Sequence, residues 1–354
     1  MSGQVLFAEV PSFYAAIEQA RESERVERPV IVGGDPRKRG VVLSASRDAL
    51  VAGVVLDMPV VDALRLCPQA RAVRTDMPLY RQYSRRLFAC LRHGRVGIEP
   101  LGLAGAYVDA SGAGDVEAFA EALGVRVRGE LGLPLRVGIA RGKFLARVAA
   151  EQAGDEGVRR VARDAEAAFL RPLPVARLDG VGRKTAATLA EHGAHTIGGV
   201  VALGAGQLEE LFGPHGLRIF ALASGGDDTV VRGSGHPQSL SRELTLRGGG
   251  ADHVVLAEQL QVLARQLEEE LGRQGLVASR VALKLRYADQ GTQTRSQVLA
   301  NALGSAGAIH EVALRLLERT QAASRTVRGL GLQVGRLAAP TEAGRQLDLF
   351  PTQD

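Results

Sequence analysis

The chain has 354 residues, 45% of them hydrophobic, and a formal net charge of +5. This length is too great for one compact core and predicts two or more domains. Two cysteines, Cys67 and Cys90, exclude a disulfide framework and favour a reducing cytoplasm. No leader-like start and no apolar run of about 18 residues is present, so neither a signal peptide nor a membrane span is expected. The positive charge permits nucleic-acid binding, although codon bias explains an arginine excess equally well.

The first 170 residues alternate strands and helices irregularly. Strands are predicted at Gln4–Glu9, Pro29–Val32, Val41–Leu43, Tyr107–Asp109 and Leu135–Ile139. Helices are predicted from an N-cap at Ser12 to Ala20, around Ala49 and Ala63, and over Pro78–Leu91, Asp115–Gly129 and Lys143–Gln152. Because antiparallel returns are expected, this order favours an α+β, ferredoxin-like arrangement over a doubly wound sheet.

A second α+β region follows a helical one. Arg171–Pro174 marks a boundary, residues 174–223 form short helices, and the glycine-rich residues 225–237 form a linker. The following order resembles βαββαβ, with its clearest segments at Ser239–Leu246, Val254–Leu271, Arg280–Tyr287, Ile309–Gln321 and Val327–Val334. From Ala338 the chain becomes a polar tail, which we expect to be accessible.

A glycine pair opens a helix in the helical region. Gly180 and Gly182 follow Leu178 and Asp179, and Lys184 follows them. This is a helix-hairpin-helix pattern, in which the glycines turn the backbone and present N–H groups to a phosphate. Such contacts position a duplex without reading its sequence. The alternative is a plain turn between two helices.

Several segments, in this order, resemble the Y family of translesion DNA polymerases over about residues 4–337. They are Phe7–Glu18, Arg39–Val42 with Met58–Pro59 and Ala63–Pro68, Ile98–Asp109, the glycine hairpin, and Ser239–Glu243. The resemblance implies a right-handed polymerase fold. Its parts would be a palm with fingers over residues 1–170 (fingers about 30–75), a thumb over 171–232, a little finger over 233–338, and a tail over 339–354.

The resemblance also implies catalytic carboxylates, and this chain departs from that pattern. The family's first aspartate is Glu9 here, and its adjacent Asp-Glu pair falls on Ala104 and Gly105. Two ions held roughly 3.5–4 Å apart need several carboxylates. We therefore predict a degenerate site with no metal and no enzymatic activity, similar to the non-catalytic ImuB-like members of the family. Glu99 and Asp109 remain nearby as acidic residues.

The triphosphate site implied by the family is degenerate as well. Arg47 and Leu50 occupy places where the family has a tyrosine and an arginine, and Gly154 falls where it has a lysine. Tyr14 matches the bulky residue that excludes ribose, although a tyrosine of the core is the simpler interpretation. Loss of these groups together with the metal ligands is hard to reconcile with phosphoryl transfer.

Binding functions are predicted for the rest of the chain. The DNA-binding residues are predicted to be the hairpin residues Gly180, Gly182 and Lys184, and the little-finger residues Ser239, Ser241, Arg242, Arg247, Arg280, Lys284, Arg286 and Arg328. The tail residues Gln346, Leu347, Leu349 and Phe350 resemble the Q-L-x-L-F peptide that docks on the bacterial β sliding clamp. Folding of these apolar side chains onto the little finger is the alternative.

The predicted function is that of a cytoplasmic accessory factor in error-prone, damage-induced translesion synthesis. Its predicted partners are primer-template DNA, the β sliding clamp, a C-family error-prone polymerase and a recombinase-like protein. One alternative is an active low-fidelity polymerase that uses magnesium in a rearranged site with Glu9, Glu99 or Asp109. Another is a DNA-binding repair protein without a clamp role.

Overall fold

The computed structural model describes residues 4–21, 28–92, 96–227, 229–233, 237–246 and 253–340. Within these ranges the strands are β1 (Val5–Glu9), β2 (Val30–Gly33), β3 (Val42–Ala45), β4 (Arg71–Arg74), β5 (Ile98–Leu101), β6 (Gly105–Asp109), β7 (Arg136–Ala140), β8 (Gly157–Arg160), β9 (Ser239–Thr245), β10 (Val277–Tyr287), β11 (Thr292–Leu303) and β12 (Val327–Ala338).

The α-helices of the same ranges are α1 (Phe13–Ala20), α2 (Arg47–Val51), α3 (Val60–Leu66), α4 (Met77–Leu91), α5 (Val116–Leu131), α6 (Lys143–Glu151), α7 (Glu166–Leu170), α8 (Arg183–Glu191), α9 (Ile197–Phe212), α10 (Pro214–Ala223), α11 (His253–Gln274) and α12 (Ala306–Glu318). The chain divides into two compact units, residues 1–234 and 235–354. In the described ranges, no helix has the length and apolarity needed to cross a membrane.

The largest sheet of the first unit has the strand order β5-β6-β1-β7-β8. Its central strand β1 pairs antiparallel with both neighbours and is covered on both faces. Leu6 and Ala8 pack in the core that contains α1, α4 and α5. Val5 and Phe7 pack in the core that contains α6 and the helices after residue 170. This two-sided burial explains why β1 is almost entirely apolar. The antiparallel pairing of β1 with both neighbours confirms the predicted α+β fold over a doubly wound sheet.

A small three-stranded sheet, ordered β3-β2-β4, forms a separate layer with α2 and α3. Its core contains Ile31, Val42, Ala49 and Cys67. Several large apolar side chains remain exposed around it, among them Leu43, Leu50, Val51, Val55 and Leu56. This layer lies within residues 30–75, the range that the sequence resemblance predicts for the fingers.

The second unit is a four-stranded sheet, ordered β11-β10-β12-β9, with all pairs antiparallel. Helices α11 and α12 pack in one core with the inward-facing side chains of the sheet. The residues of β9 and β11 alternate between exposed and half-buried, because helices cover only one face. The observed order is β9-α11-β10-β11-α12-β12, as the βαββαβ-like interpretation requires.

One predicted local feature is wrong. Ser12 precedes α1, but its side chain makes no capping hydrogen bond, and its φ of 48° is left-handed. Its carbonyl oxygen instead accepts a hydrogen bond from the amide of Ala16 at 2.9 Å and from the hydroxyl of Ser44 at 3.2 Å. The backbone therefore turns sharply at Ser12 and ties α1 to β3.

Candidate functional site

Of the positions that the sequence resemblance matches to catalytic carboxylates, the one that is still acidic, Glu9, forms an ion pair. Glu9 ends β1, and strand pairing places Gly105 on one side of it and Arg136 on the other. The Arg136 guanidinium donates to the Glu9 carboxylate at 2.6 Å. A Cβ atom at Gly105 would lie 2.9 Å from the carbonyl oxygen of Ala8 and 3.1 Å from the Cβ of Glu9. A larger side chain at residue 105 therefore requires the two strands to shift.

These residues do not fit a two-ion site. Glu9 supplies one carboxylate, and its charge is already balanced by Arg136. Ala104 and Gly105 supply no side-chain ligand, and the carbonyl oxygen of Ala104 accepts the amide of Val10 at 2.9 Å. Within the described ranges, no group of three or more His, Cys, Asp or Glu side chains is arranged to hold a metal ion.

Glu99 and Asp109 do not join Glu9. Glu99 pairs with the Lys143 ammonium at the start of α6. Asp109 lies opposite Val5, four residues from Glu9 along β1, which corresponds to ~13 Å of strand. Its carboxylate accepts the hydroxyl of Ser111 at 2.6 Å. The rearranged site was predicted to use Glu9, Glu99 or Asp109, and these three carboxylates do not come together, because each contacts a different residue.

A cavity of about 270 Å³ lies beside Glu9, between the large sheet and the fingers layer. Tyr14 lines it from α1, and the Tyr14 ring stacks on Tyr80 with centroids 4.5 Å apart. The buried Tyr80 hydroxyl donates to the buried Glu18 carboxylate at 3.0 Å. Tyr14 is thus a wall of this cavity as well as a partner of the core, and the ribose-excluding role remains a prediction.

Of the three other predicted nucleotide positions, one lines the cavity and two lie together beside Asp155. Leu50 lines the cavity and is 41% exposed, so it offers an apolar wall and no phosphate ligand. Arg47 pairs with Asp155 at 2.8 Å. Gly154 adopts a left-handed φ of 80° in the turn just before Asp155, with open space around it. The structure thus brings Leu50 to the cavity.

Two tyrosines of this region are expected to ionise at a higher pH than an ordinary tyrosine. Burial raises the pKa of Tyr107 to about 12. Burial, with the hydrogen bond to Glu18, raises the pKa of Tyr80 above its usual range. Because both values are raised in the folded chain, the protonated hydroxyls stabilise it up to the ordinary pKa of 10.0, and this contribution is lost as the pH rises further.

We expect an ultraviolet titration of the five tyrosines to show a late phase that Tyr107→Phe reduces. The free energy of unfolding should fall over the same pH range, and it should fall less in Tyr107→Phe. A single phase near the ordinary pKa in the folded chain would contradict the burial argument.

The glycine hairpin lies where the sequence predicts it. Gly180 has a left-handed φ of 86°, and α8 begins directly after Gly182. The His215 ring nitrogen Nε2 donates to the Gly180 carbonyl at 3.1 Å. Asp179 accepts the Arg147 guanidinium of α6 at 2.5 Å, which joins the hairpin to the large sheet's helix layer. Lys184 is exposed in the first turn of α8, and the first amides of a helix are suited to a phosphate.

The helix-free face of the second sheet carries most of the predicted little-finger residues. Arg280, Lys284 and Arg286 alternate along β10, and each lies opposite a glycine of β12. On the far side of these glycines β9 contributes Ser239, Glu243 and Thr245. Three rows of paired residues therefore cross β10, β12 and β9. Lys284 pairs with Glu243 at 3.3 Å, but both side chains are nearly half exposed, so a phosphate can displace this weak pair. Arg280, Lys284 and Arg286 thus form a basic surface beside the glycines of β12.

The remaining predicted residues are placed differently. Ser241 is exposed on the same face, whereas Arg242 points to the helices and pairs with Glu270 of α11 at 2.9 Å. Arg328 is exposed at the bulge where β12 changes register against Arg286. Arg242 is therefore a poor candidate for a phosphate contact. Arg247 and the tail motif Gln346, Leu347, Leu349 and Phe350 lie outside the described residues.

Sequence reasoning missed four polar side chains of the first unit. Arg136, Lys143, Arg147 and Asp227 each bind a partner on a distant segment. Asp227 lies in the linker that composition predicts to be solvated, yet it is only 4% exposed. The signal that could have found it is Asp227 followed at i+2 by Thr229, a spacing typical of an Asx turn.

Comparison with known proteins identifies the same architecture along the chain. The impB/mucB/samB family matches residues 9–151, and its C-terminal domain matches residues 237–349. DNA polymerase IV of Dehalococcoides mccartyi strain CBDB1 is 32% identical over 99% of this chain and 90% of that protein. DNA polymerase IV of Methanoculleus marisnigri is 36% identical over 88% of this chain and 89% of that protein.

Solved structures show the same fold. A Y-family DNA polymerase chimera built on Dbh superimposes with a TM-score of 0.80 at 22% identity, over 95% of this chain and 99% of that one. An insertion ternary complex of Dbh DNA polymerase gives 0.73 over the same shares. The right-handed polymerase architecture predicted from the sequence is thereby confirmed.

The prediction that the chain is not an enzyme is wrong. Relatives that match 99% and 88% of the chain are named DNA polymerase IV. The prediction rested on a few degenerate positions, chiefly Ala104 and Gly105, and gave them more weight than the rest of the chain. The comparisons lend no support to an ImuB-like character or to the absence of a cofactor.

Proposed function

Because the chain belongs to the Y family of translesion DNA polymerases, we propose that it is a DNA polymerase that extends a primer along a template strand. One observation carries this proposal. A relative named DNA polymerase IV matches 99% of this chain, and therefore both of its compact units, over 90% of its own length. The family match at residues 9–151 includes the cavity beside Glu9 and Tyr14.

Two surfaces support binding of primer-template DNA without sequence preference. The hairpin offers backbone amides and exposed cationic side chains at the start of α8. The open face of the second sheet offers Arg280, Lys284 and Arg286 over a glycine floor. Both sets suit phosphate oxygens, and neither presents a shape that reads base edges. No single contact needs a high affinity, because the free energies of several weak phosphate contacts add.

Low fidelity is the second part of the proposal. The cavity beside Tyr14 is walled by Leu43, Leu50 and Leu56, which are apolar and partly exposed. Such walls give few directional contacts, so they discriminate weakly between a correct and an incorrect base pair. Tolerance of an altered template base is expected for the same reason.

Magnesium is the cofactor that family membership implies. The described residues around Glu9 do not fit a two-ion site, so no side chain among them is named as an ion ligand. The primer-extension test therefore has three arms, with Mg²⁺, with Mn²⁺ and with a chelator. We expect templated incorporation in the presence of at least one of the two ions.

The control against a contaminating polymerase is the variant Arg183→Ala with Lys184→Ala. Its extension should require a higher primer-template concentration than that of the wild type, because only this chain's hairpin is altered. No incorporation above a mock preparation with either ion would refute the proposed activity. Incorporation that is indifferent to the hairpin variant would be assigned to a contaminant.

Docking on the β sliding clamp is proposed for the tail. Leu349 and Phe350 are adjacent apolar anchors, and Gln346 offers an amide that sets register by hydrogen bonds. Attachment to a clamp would raise the local concentration of the polymerase at the DNA, to which it binds weakly and by electrostatic contacts. The C-family polymerase and the recombinase-like protein were predicted for an accessory role and stay predictions without support from the fold.

We expect Leu349→Ala with Phe350→Ala to weaken clamp binding by about tenfold or more, since a few anchors carry most of a peptide's binding energy. Calorimetric titration of the full chain with the β clamp measures this change. The matched control is Thr352→Ala with Gln353→Ala, which alters the same tail beyond the motif. Equal affinity of the wild type and the anchor variant would show that the tail is not the docking site.

A further inference from the structure

The connector is defined here as residues 225–232, between α10 and the second unit. Its Asp227 is 4% exposed, and its carboxylate accepts three hydrogen bonds. They come from the amide of Phe144 at 2.6 Å, the amide of Thr229 at 3.1 Å and the hydroxyl of Thr229 at 2.5 Å. The Thr229 hydroxyl also accepts the amide of Lys143 at 3.3 Å. Asp227 and Thr229 thus cap the start of α6. Asp227 lies 84 residues after Lys143 in the chain.

A second carboxylate holds the end of the connector. Glu99 of β5 accepts the amide of Arg232 at 2.8 Å and pairs with the Lys143 ammonium. The same ammonium lies 5.5 Å from the centroid of the Tyr107 ring. Both contacts are made by Oε2 of Glu99, which therefore joins the connector to α6.

The connector also approaches the sheet layer through its backbone. The Arg141 guanidinium donates to the Gly225 carbonyl at 2.6 Å. A Cβ atom at Gly142 would lie 2.2 Å from the carbonyl oxygen of Asp227 and 2.4 Å from its carboxylate. Only glycine at residue 142 allows the connector to lie this close to the start of α6.

We propose that Asp227 and Glu99 are positioning residues that fasten the connector to the palm and so shorten the tether of the little finger. Three observations agree on it: a buried carboxylate whose hydrogen bonds all serve this junction, a second carboxylate on the last connector amide, and a glycine that leaves room for the chain. Neither carboxylate contacts a nucleotide or an ion in this assignment. The effect on DNA binding rests on the proposed function, whereas the fastening itself does not.

The fastening changes the length over which the little finger is tethered. Residues 224–238 separate α10 from β9, about 15 residues that span at most ~50 Å when extended. When the connector is held as far as Arg232, about six residues remain, and they span at most ~20 Å. Effective concentration falls as about the −3/2 power of tether length, so release should lower it about fourfold.

The first test measures release directly in the full chain. We expect Asp227→Ala to increase the rate of trypsin cleavage after Arg232 by about tenfold, since loss of the buried carboxylate leaves two amides without their acceptor. Amide hydrogen exchange at Phe144, Thr229 and Arg232 should accelerate with it. Glu99→Gln should accelerate exchange at Arg232 more than at Phe144, because its contact is at the other end.

Gly142→Ala provides an independent disturbance that removes no hydrogen-bonding side chain. It should displace the connector and reproduce the changes in cleavage and exchange. The matched control is Glu311→Ala, which breaks the exposed pair with Arg315 on α12 and should change neither readout. If cleavage and exchange remain at wild-type values in Asp227→Ala and Gly142→Ala, the connector is not fastened and the proposal is overturned.

The second test separates tethering from direct DNA contact. Asp227→Ala should weaken primer-template affinity about fourfold while the slope of log affinity against log salt stays unchanged, because no phosphate contact is lost. A reduced slope would overturn the positioning role. Should the wild type bind no primer-template at all, the proposed function fails, whereas the exchange and cleavage test still decides the fastening.

Discussion

Gly138→Ala is expected to destabilise the first unit by about 3 kcal/mol or more. Gly138 lies in β7, opposite Phe7, where α6 crosses the sheet. A Cβ atom there would lie 1.9 Å from the carbonyl oxygen of Ala146 and 2.3 Å from the amide nitrogen of Ala150. These are backbone atoms of a helix, so no side chain can rotate away, and α6 would have to move off the sheet.

The consequence extends to the site, because α6 carries Lys143 and Arg147. Their pairs with Glu99 and Asp179 depend on the present height of α6 above β7. Chemical denaturation of the full chain measures the loss of stability. Gly124→Ala on α5 is the matched control, since no atom lies within 4 Å of its added Cβ. The control should be stabilised by about 1 kcal/mol or less through helix propensity. Equal stability of the two variants would refute the close-packing argument.

Arg183→Ala with Lys184→Ala is expected to lower duplex affinity by about tenfold or more at moderate salt. Both side chains are exposed in the first turn of α8, directly after the Gly180–Gly182 turn. If each contacts one phosphate, the salt slope should become less negative by about 0.9 per residue. Fluorescence anisotropy with a labelled primer-template over a series of salt concentrations gives both quantities.

A control of equal charge tests whether position matters. Arg81→Ala with Arg85→Ala removes two exposed arginines from α4, which packs in the core on the other side of the large sheet from α6. This variant should retain the salt slope of the wild type, apart from a small long-range effect. Equal losses in the two double variants would mean that net charge alone drives binding, and the hairpin would lose its assigned role.

Local patterns in the sequence predicted most elements of the fold. The apolar run of β1 and the glycine hairpin before α8 are both found close to their predicted bounds. The prediction omitted an explicit strand at Thr292–Leu303, because β11 alternates polar residues with few apolar ones. Among the described strands it lies at the edge of its sheet and pairs with β10 alone, so one open side and one open face leave few positions for apolar residues.

Ser12 is a feature that the sequence predicted but the structure does not contain, because its side chain does not cap α1. The pattern of a serine before a helix is typical of an N-cap, but the chain enters α1 through a left-handed residue and bonds to β3 instead. Packing of α1 against β3 decided the entry angle, and a local pattern contains no information about it.

The sequence by itself determined the order of the elements, the polymerase-like segments and the hairpin, since each depends on residues near one another in the chain. Only the tertiary structure decided what the charged side chains do. Glu9 pairs with Arg136 because the register between β1 and β7 places them opposite each other. Glu99 contacts Lys143 at the start of α6, and it accepts the amide of Arg232 because the connector returns to the sheet. Each of these partners is more than 40 residues away. An ion pair or a cap is set by which elements pack side by side, and that is a property of the whole fold.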